Sequence, residues 1–325
     1  MLFRSAIAPN ARRTSAALTV PASTNAAVRA YVTASVGVFP GSPWSSAVGG
    51  PSSTPVSPAS RIVNLSSRAL VSAGDNALIV GVVVADTAAK RYLLRGVGPA
   101  LGAFGLNDFV RDPRLTLFRG QAQVAANAAW ETGPDASRLP GYAKSVGAFP
   151  LPAGGRDSAL VAELGTGGYT VQVTTTAAEP GVGLADLYEL DALGRGVNLS
   201  TRARVAAGSG ALFGGFVVQG AAAKRMLVRA AGPALAAFGL NGFLREPILT
   251  VYNSKQAAVA TNEGWGSGDA ATLAAAARTV GAFEFPAGSR DAALLIAVTP
   301  GAYTVEVKGK DAAEGIALLE IYEVP

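Results

Sequence analysis

Neither cysteine nor histidine occurs in the 325 residues of this chain. Without thiols there is no disulfide framework and no thiolate chemistry. The redox compartment stays unread, because such a chain survives equally well inside or outside a cell. Without imidazole, Ser-His and Cys-His triads, His-ligated zinc and histidine acid/base catalysis are excluded. Charge is also scarce, at 15% of residues, with a net charge of +5. The basic residues are thinly spread, and the densest group, Arg4, Arg12 and Arg13, has no interleaved aromatics, so no nucleic-acid partner is expected. Long apolar runs are missing too. No window approaches the roughly 20 residues that cross a bilayer, and no apolar run follows the N-terminal arginines as it would in a Sec signal.

What is present is a duplication. KRYLLRGVGPALGAFGLN, from Lys90 to Asn107, returns as KRMLVRAAGPALAAFGLN from Lys224 to Asn241, an offset of 134. The same offset relates Gly147 to Gly281, Pro152 to Pro286, Arg156 to Arg290, Tyr169 to Tyr303 and Tyr188 to Tyr322. A period this long is a whole domain rather than a turn of a solenoid. The expected organisation is an N-terminal segment and linker over 1–60, one repeat over 61–193 and a second over 194–325. Half the residues are hydrophobic, and 39 Gly and 19 Pro supply turns. That balance fits all-β domains with weakly charged surfaces.

Val63-Asn-Leu-Ser66 and Val197-Asn-Leu-Ser200 lead into the apolar runs Ala77 to Ala85 and Ala211 to Val218, each suited to a strand buried on both faces. Over Arg91 to Val97, Arg91, Leu93 and Arg95 share one face and Tyr92 and Leu94 the other. Gly98-Pro99 ends that strand, and Ala100 to Phe104 has room for one helical turn. Leu115 to Phe118 and Ile248 to Tyr252 each open a hairpin. Ala270 to Val280 suits a short helix, whereas Pro134 and Pro140 interrupt its equivalent. Three further strands per repeat follow: Ala159 to Leu164, Tyr169 to Thr174 and Val182 to Leu190, then Ala292 to Val298, Tyr303 to Val307 and Ile316 to Val324. In the N-terminal segment, Val28, Tyr31, Val32, Val36 and Val38 form a candidate self-assembly strand that would pair with a sheet edge.

With histidine missing, acid/base chemistry would fall to carboxylate pairs. Asp186 and Glu189, with Glu320 and Glu323, lie three apart on predicted strands and so on opposite faces; they are expected to be solvated or edge charges. Asp157 and Asp291 follow a turn and are expected to bond the local backbone, with ligand contact as the other reading. Arg91 and Arg95, with Arg225 and Arg229, form a repeated basic face, either paired with Asp112 or Glu246 or open to an anion. Asn262 and Glu263 fall short of a calcium loop, since the first copy has Asn127 and Ala128 there. Trp130 and Trp265 are either core anchors or sugar-stacking platforms. Asn64-Leu-Ser66 and Asn198-Leu-Ser200 fit a glycosylation pattern but sit in predicted strands. No catalytic residue, metal or cofactor is assigned.

The L-T-L-F and L-T-V-Y strands with the Y-T-V-x-V strands resemble the pre-peptidase C-terminal type of β-sandwich of secreted bacterial proteins. The whole repeat, with V-N-L-S and K-R-x-L-x-R-x-x-G-P-x-L, is similar to repeats of large exported proteins of environmental bacteria, over about Arg61 to Pro325. The resemblance implies two tandem antiparallel β-sandwich, jelly-roll-like domains in an exported protein. Members usually hang behind a larger functional region; here about sixty residues precede the repeats, so the repeats themselves are expected to be the functional body. The expected role is a non-enzymatic structural subunit of an extracellular or cell-surface assembly, self-associating through edge strands or the N-terminal strand, and a fibre where the contact does not close. The alternative is a polysaccharide-binding or adhesion module.

Overall fold

The computed structural model describes residues 61–72, 77–84, 89–191, 196–206 and 211–325. The candidate strand from Val28 to Val38 lies outside the described residues. The first repeat holds β1 (Arg61–Val71), β2 (Leu78–Val84), β3 (Lys90–Val97), β4 (Arg114–Arg119), β5 (Ala122–Asn127), α1 (Leu139–Ser145), β6 (Ser158–Leu164), β7 (Gly167–Thr174) and β8 (Gly181–Glu189). The second holds β9 (Gly196–Val205), β10 (Leu212–Gln219), β11 (Lys224–Ala231), β12 (Pro247–Asn253), β13 (Ala258–Asn262), α2 (Ala270–Val280), β14 (Ala292–Val298), β15 (Gly301–Gly309) and β16 (Gly315–Val324). No helix among the described residues is long and apolar enough to cross a membrane.

The fold is an all-β sandwich of two antiparallel sheets, each with eight strands. One runs β13-β12-β15-β10-β1-β8-β3-β6 and the other β5-β4-β7-β2-β9-β16-β11-β14, touching at a single bridge between Ile62 and Gly196. Each sheet takes four strands from each repeat. The joins are β1 with β10 and β9 with β2, where Ser66 faces Gly215 and Ser200 faces Gly81. Strands β1 and β9 are therefore hydrogen-bonded on both edges, one by their own repeat and one by the other.

Alternation along these strands aims one set of side chains into a common interior. Leu65 and Val71 of β1, Val171 and Val173 of β7, Leu199 of β9, Phe216 of β10 and Val305 of β15 belong to one buried cluster that spans both repeats. Strand β2 is covered on both faces, as its unbroken apolar run requires: Val80 and Val82 face that interior, while Ile79 packs with Leu235 and Leu318 of the second repeat.

The outer face of β3 and β8 is covered in turn by the long connections before β4 and before β6. Leu93, Trp130, Leu139 and Tyr188 form one buried cluster there, and Val97, Leu101, Phe149 and Leu184 another. Helix α2 forms as expected. Helix α1 forms as well, against the expectation that Pro140 would interrupt it, because the proline sits in the first turn, where its missing N–H has no helical partner to lose.

Arg68 is a buried cation on β1, opposite Leu184 and Phe213 and 5.1 Å above the Phe213 ring. Burial lowers its pKa to about 10, against the pull of Asp108; its counterpart Arg202 is also lowered by burial. The folded state thus sheds this proton more readily than the unfolded chain. The resulting destabilisation persists at every pH below about 10 and is relieved as pH rises toward the ordinary arginine value. Arg68→Met is therefore expected to raise folding stability at pH 7 by about 2 kcal/mol, read from the urea midpoint, with a gain that shrinks above pH 10.

Candidate functional site

Each repeat builds the same site on the outer face of one sheet, starting at the Gly-Pro corner. A Cβ on Gly98 would stand 1.9 Å from the Val110 carbonyl oxygen, and one on Gly232 1.9 Å from that of Leu244. Only glycine lets these backbones meet. The turn that follows, Pro99–Phe104, has no side-chain cap of its own at its N-terminus. Asp157 supplies one from 59 residues away: its Oδ1 accepts from the Gly98 amide at 2.8 Å and the Ala100 amide at 3.2 Å. Asp291 repeats this on Gly232 and Ala234 at 2.7 and 3.2 Å. The backbone carbonyls of Asp157 and Asp291 also accept from the amides of Trp130 and Trp265. Both aspartates are fully buried, so they bond backbone as expected, but backbone distant in sequence. Asp157→Ala and Asp291→Ala, by stranding two buried amides each, are expected to cost about 2–4 kcal/mol in urea unfolding at either position.

Below this corner lies a buried ion pair. Arg95 donates from Nη2 to Asp186 at 2.6 Å and from Nη1 to the Phe149 carbonyl at 2.6 Å, with its guanidinium 4.2 Å from the Phe149 ring. The expected partners were Asp112 and Glu246; the structure corrects both. Asp186 lies directly opposite Arg95 across β3 and β8, whereas Asp112 accepts from Thr175 and Thr176 and Glu246 pairs with exposed Arg290. Arg91 pairs with Asp191 at 2.7 Å. Asp186, Glu320 and Glu323 are also buried rather than solvated, because the connections cover the outer face and Lys224 meets Glu323 at 2.6 Å.

Burial pulls the Arg95 pKa down, but Tyr188 and Asp186 outweigh it, so the pKa ends above the ordinary value. The Tyr188 hydroxyl is pushed up by burial and then by Asp186; Tyr322 is pushed well up by burial and then by Glu320. Both phenols therefore stay protonated and can serve as donors. In the second copy the longer Glu320 accepts from Tyr322 at 2.6 Å and stands 3.5 Å from Arg229, whose guanidinium packs 4.6 Å from the ring of Phe283 and 3.9 Å from that of Phe285. Asp186→Asn is expected to cost 3–5 kcal/mol, the cost of a buried cation left without its counter-charge. Arg95→Met with Asp186→Leu in one chain is expected to recover most of that loss in the same unfolding assay.

Above each arginine is a cavity. The first, of about 650 Å3, is walled by Leu93, Phe104, Trp130, Leu139 and Phe149, with Lys144 among its lining residues. The second, of about 240 Å3, is lined by Trp265, Leu273, Ala277, Phe285 and Arg278. Trp130 is buried and donates its indole N–H to the Pro152 carbonyl at 3.1 Å. Trp265 is half-buried and donates to Ser289 at 3.1 Å. Asn127 and Asn262 accept from the amides of Ala159 and Ala293, tying each hairpin to the opposite sheet. Asn64 is buried in β1, donating to the Leu187 carbonyl at 3.4 Å. The cavities were not legible from the sequence; their one signal is that Arg95 and Arg229 recur with an acidic residue, Asp186 or Glu320, at the same offset.

No protein family and no curated protein matches the sequence. Among solved structures, one of PNGF-II aligns at 7% identity and a TM-score of 0.21, covering 81% of this chain. The chain spans 57% of that protein's length.

Proposed function

We propose that the protein is a non-enzymatic structural subunit of an extracellular or cell-surface assembly, joined to its neighbours through open sheet edges. The observation that carries this reading is the chemistry of β5 and β13. Among the described residues each pairs with one strand only, β5 with β4 and β13 with β12, and each ends a different sheet. Their sequences, AQVAAN and AVATN, contain no charge and no proline. Their central valines, Val124 and Val259, are about half exposed, at 51% and 48%. Edge strands are ordinarily blunted by lysine, proline or a covering loop, and a neutral edge with outward valines is suited to accept another strand. One such edge per sheet gives each molecule two docking places, and contacts that do not close produce a filament. The segment with Val28, Tyr31, Val32, Val36 and Val38 is the proposed donor strand, and the exported location rests on the resemblance of the repeats.

The buried polar groups of the first site support a role without chemistry, since Arg95 and Asp186 engage one another and the Tyr188 phenol stays protonated. Of the two repeat tryptophans, Trp265 is the better placed for a polysaccharide platform, because Trp130 is buried from the outer surface.

Sedimentation velocity and electron microscopy test the assembly. The full chain is expected to form concentration-dependent oligomers or fibres. Val124→Lys with Val259→Lys is expected to abolish them with an unchanged melting temperature, because both side chains are exposed. Deletion of residues 1–60 is expected to weaken them. A wild-type chain that stays monomeric at every concentration would overturn the reading.

A further inference from the structure

The two cavities descend from one duplicated plan, and their differences fall at neighbouring positions. Phe285 of the second copy stands where the first has Leu151, and its ring meets Trp265 and Phe283 edge-on at 6.1 and 5.8 Å, filling space that remains open above Arg95. Glu284 stands where the first copy has Pro150. It holds Arg278 in an exposed ion pair at 3.3 Å at the mouth of the second cavity. Lys144 occupies the place of Arg278, and with proline opposite it pairs with no carboxylate among the described residues. Arg95, at the floor, is already neutralised by Asp186. The larger cavity therefore combines apolar walls with one uncompensated positive charge at its rim, while the smaller one is narrowed to about 240 Å3 and has its charges paired.

We infer that the first cavity binds a small amphipathic carboxylate, with its apolar body between Leu93, Phe104, Trp130 and Leu151 and its head group at Lys144, and that the second cavity does not. A volume of about 650 Å3 lies within the range of small-molecule sites, whose few polar groups fix orientation while apolar walls supply contact. The carboxylate is favoured over a neutral or cationic analogue because, among the described residues, the one unpaired charge lining the cavity is that of Lys144. This site is separate from the sheet edges, so its failure and the failure of the assembly are read independently.

Octanoate and octylammonium, titrated calorimetrically into the full chain below their micelle concentrations, test it. One octanoate per chain is expected, with octylammonium binding more weakly. Lys144→Glu is expected to weaken octanoate roughly fivefold, the scale of one exposed ion pair, and to reverse the preference. Pro150→Glu, which supplies the partner Arg278 has, is expected to weaken octanoate similarly. Ala143→Trp is expected to block both ligands. Lys144 and Pro150 are exposed, so those two variants decide the matter if the tryptophan variant does not fold. Two equivalents per chain, equal binding of both probes, affinity unchanged in both exposed variants, or no binding below the micelle concentration would each overturn the inference.

Discussion

Everything in this fold depends on β1 and β9 being hydrogen-bonded along both edges by strands of different repeats. A strand paired on one side alone would leave its other row of N–H and C=O groups to water or to another chain. Here β10 and β2 take those rows, and the two repeats become halves of the same two sheets. The interior follows from that pairing: Leu65 and Leu199 lie in a cluster continuous from β7 of one repeat to β15 of the other. Among the described residues there are therefore four sheet-terminating strands, where two isolated sandwiches of this kind would have eight. Of these four, β6 and β14 each donate one amide, at Ala159 and Ala293, to Asn127 and Asn262 at the ends of β5 and β13, and it is β5 and β13 that carry the exposed valines Val124 and Val259.

A sheet covered on one face is the ordinary outcome of strand alternation. Covering the second face needs the connections to be held down, and here the Gly-Pro corners do it. Gly98 and Gly232 let backbone meet backbone, and Asp157 and Asp291 bind the amides at each corner. Once the outer face is sealed, the arginine that alternation places there is stranded away from water. It is tolerable only with a facing carboxylate, and the residue directly opposite in the register, Asp186 or Glu320, provides it. The buried pairs are thus a consequence of the sealed corner.

These causes differ in how far the chain itself discloses them. Strands were legible wherever one face alternates: Tyr169, Val171 and Val173 all point into the shared interior, as their spacing required. Helix α1 was illegible because the position of Pro140 relative to the first turn, rather than its presence, decides whether it breaks the helix. The partner of Arg95 was illegible for a different reason. Alternation placed Asp186 and Glu189 on opposite faces correctly, but which face is covered depends on residues 98–113 and 128–157, and which residue lies opposite Arg95 depends on strand order. Sharing of the sheets was least accessible, since β2 and β10 carry the same pattern and either would satisfy β1.

Duplication separates positions without slack from positions free to drift. Gly98, Asp157 and Arg95 recur unchanged as Gly232, Asp291 and Arg229, because a Cβ at 1.9 Å, a stranded amide or an unpaired buried charge each costs more than a marginally stable fold can absorb. Asp186 becomes Glu320 and stays buried, since the charge is required and one methylene is accommodated by the Tyr322 hydroxyl. The exchanges of Pro150 for Glu284 and Leu151 for Phe285 lie outside this constraint, where cap meets solvent. Altering them reshapes the cavity without touching the corner, the ion pair or the joins between repeats. Two copies can therefore keep one architecture while one has a wide pocket with an unpaired positive charge at its rim and the other has a narrower pocket whose charges are paired.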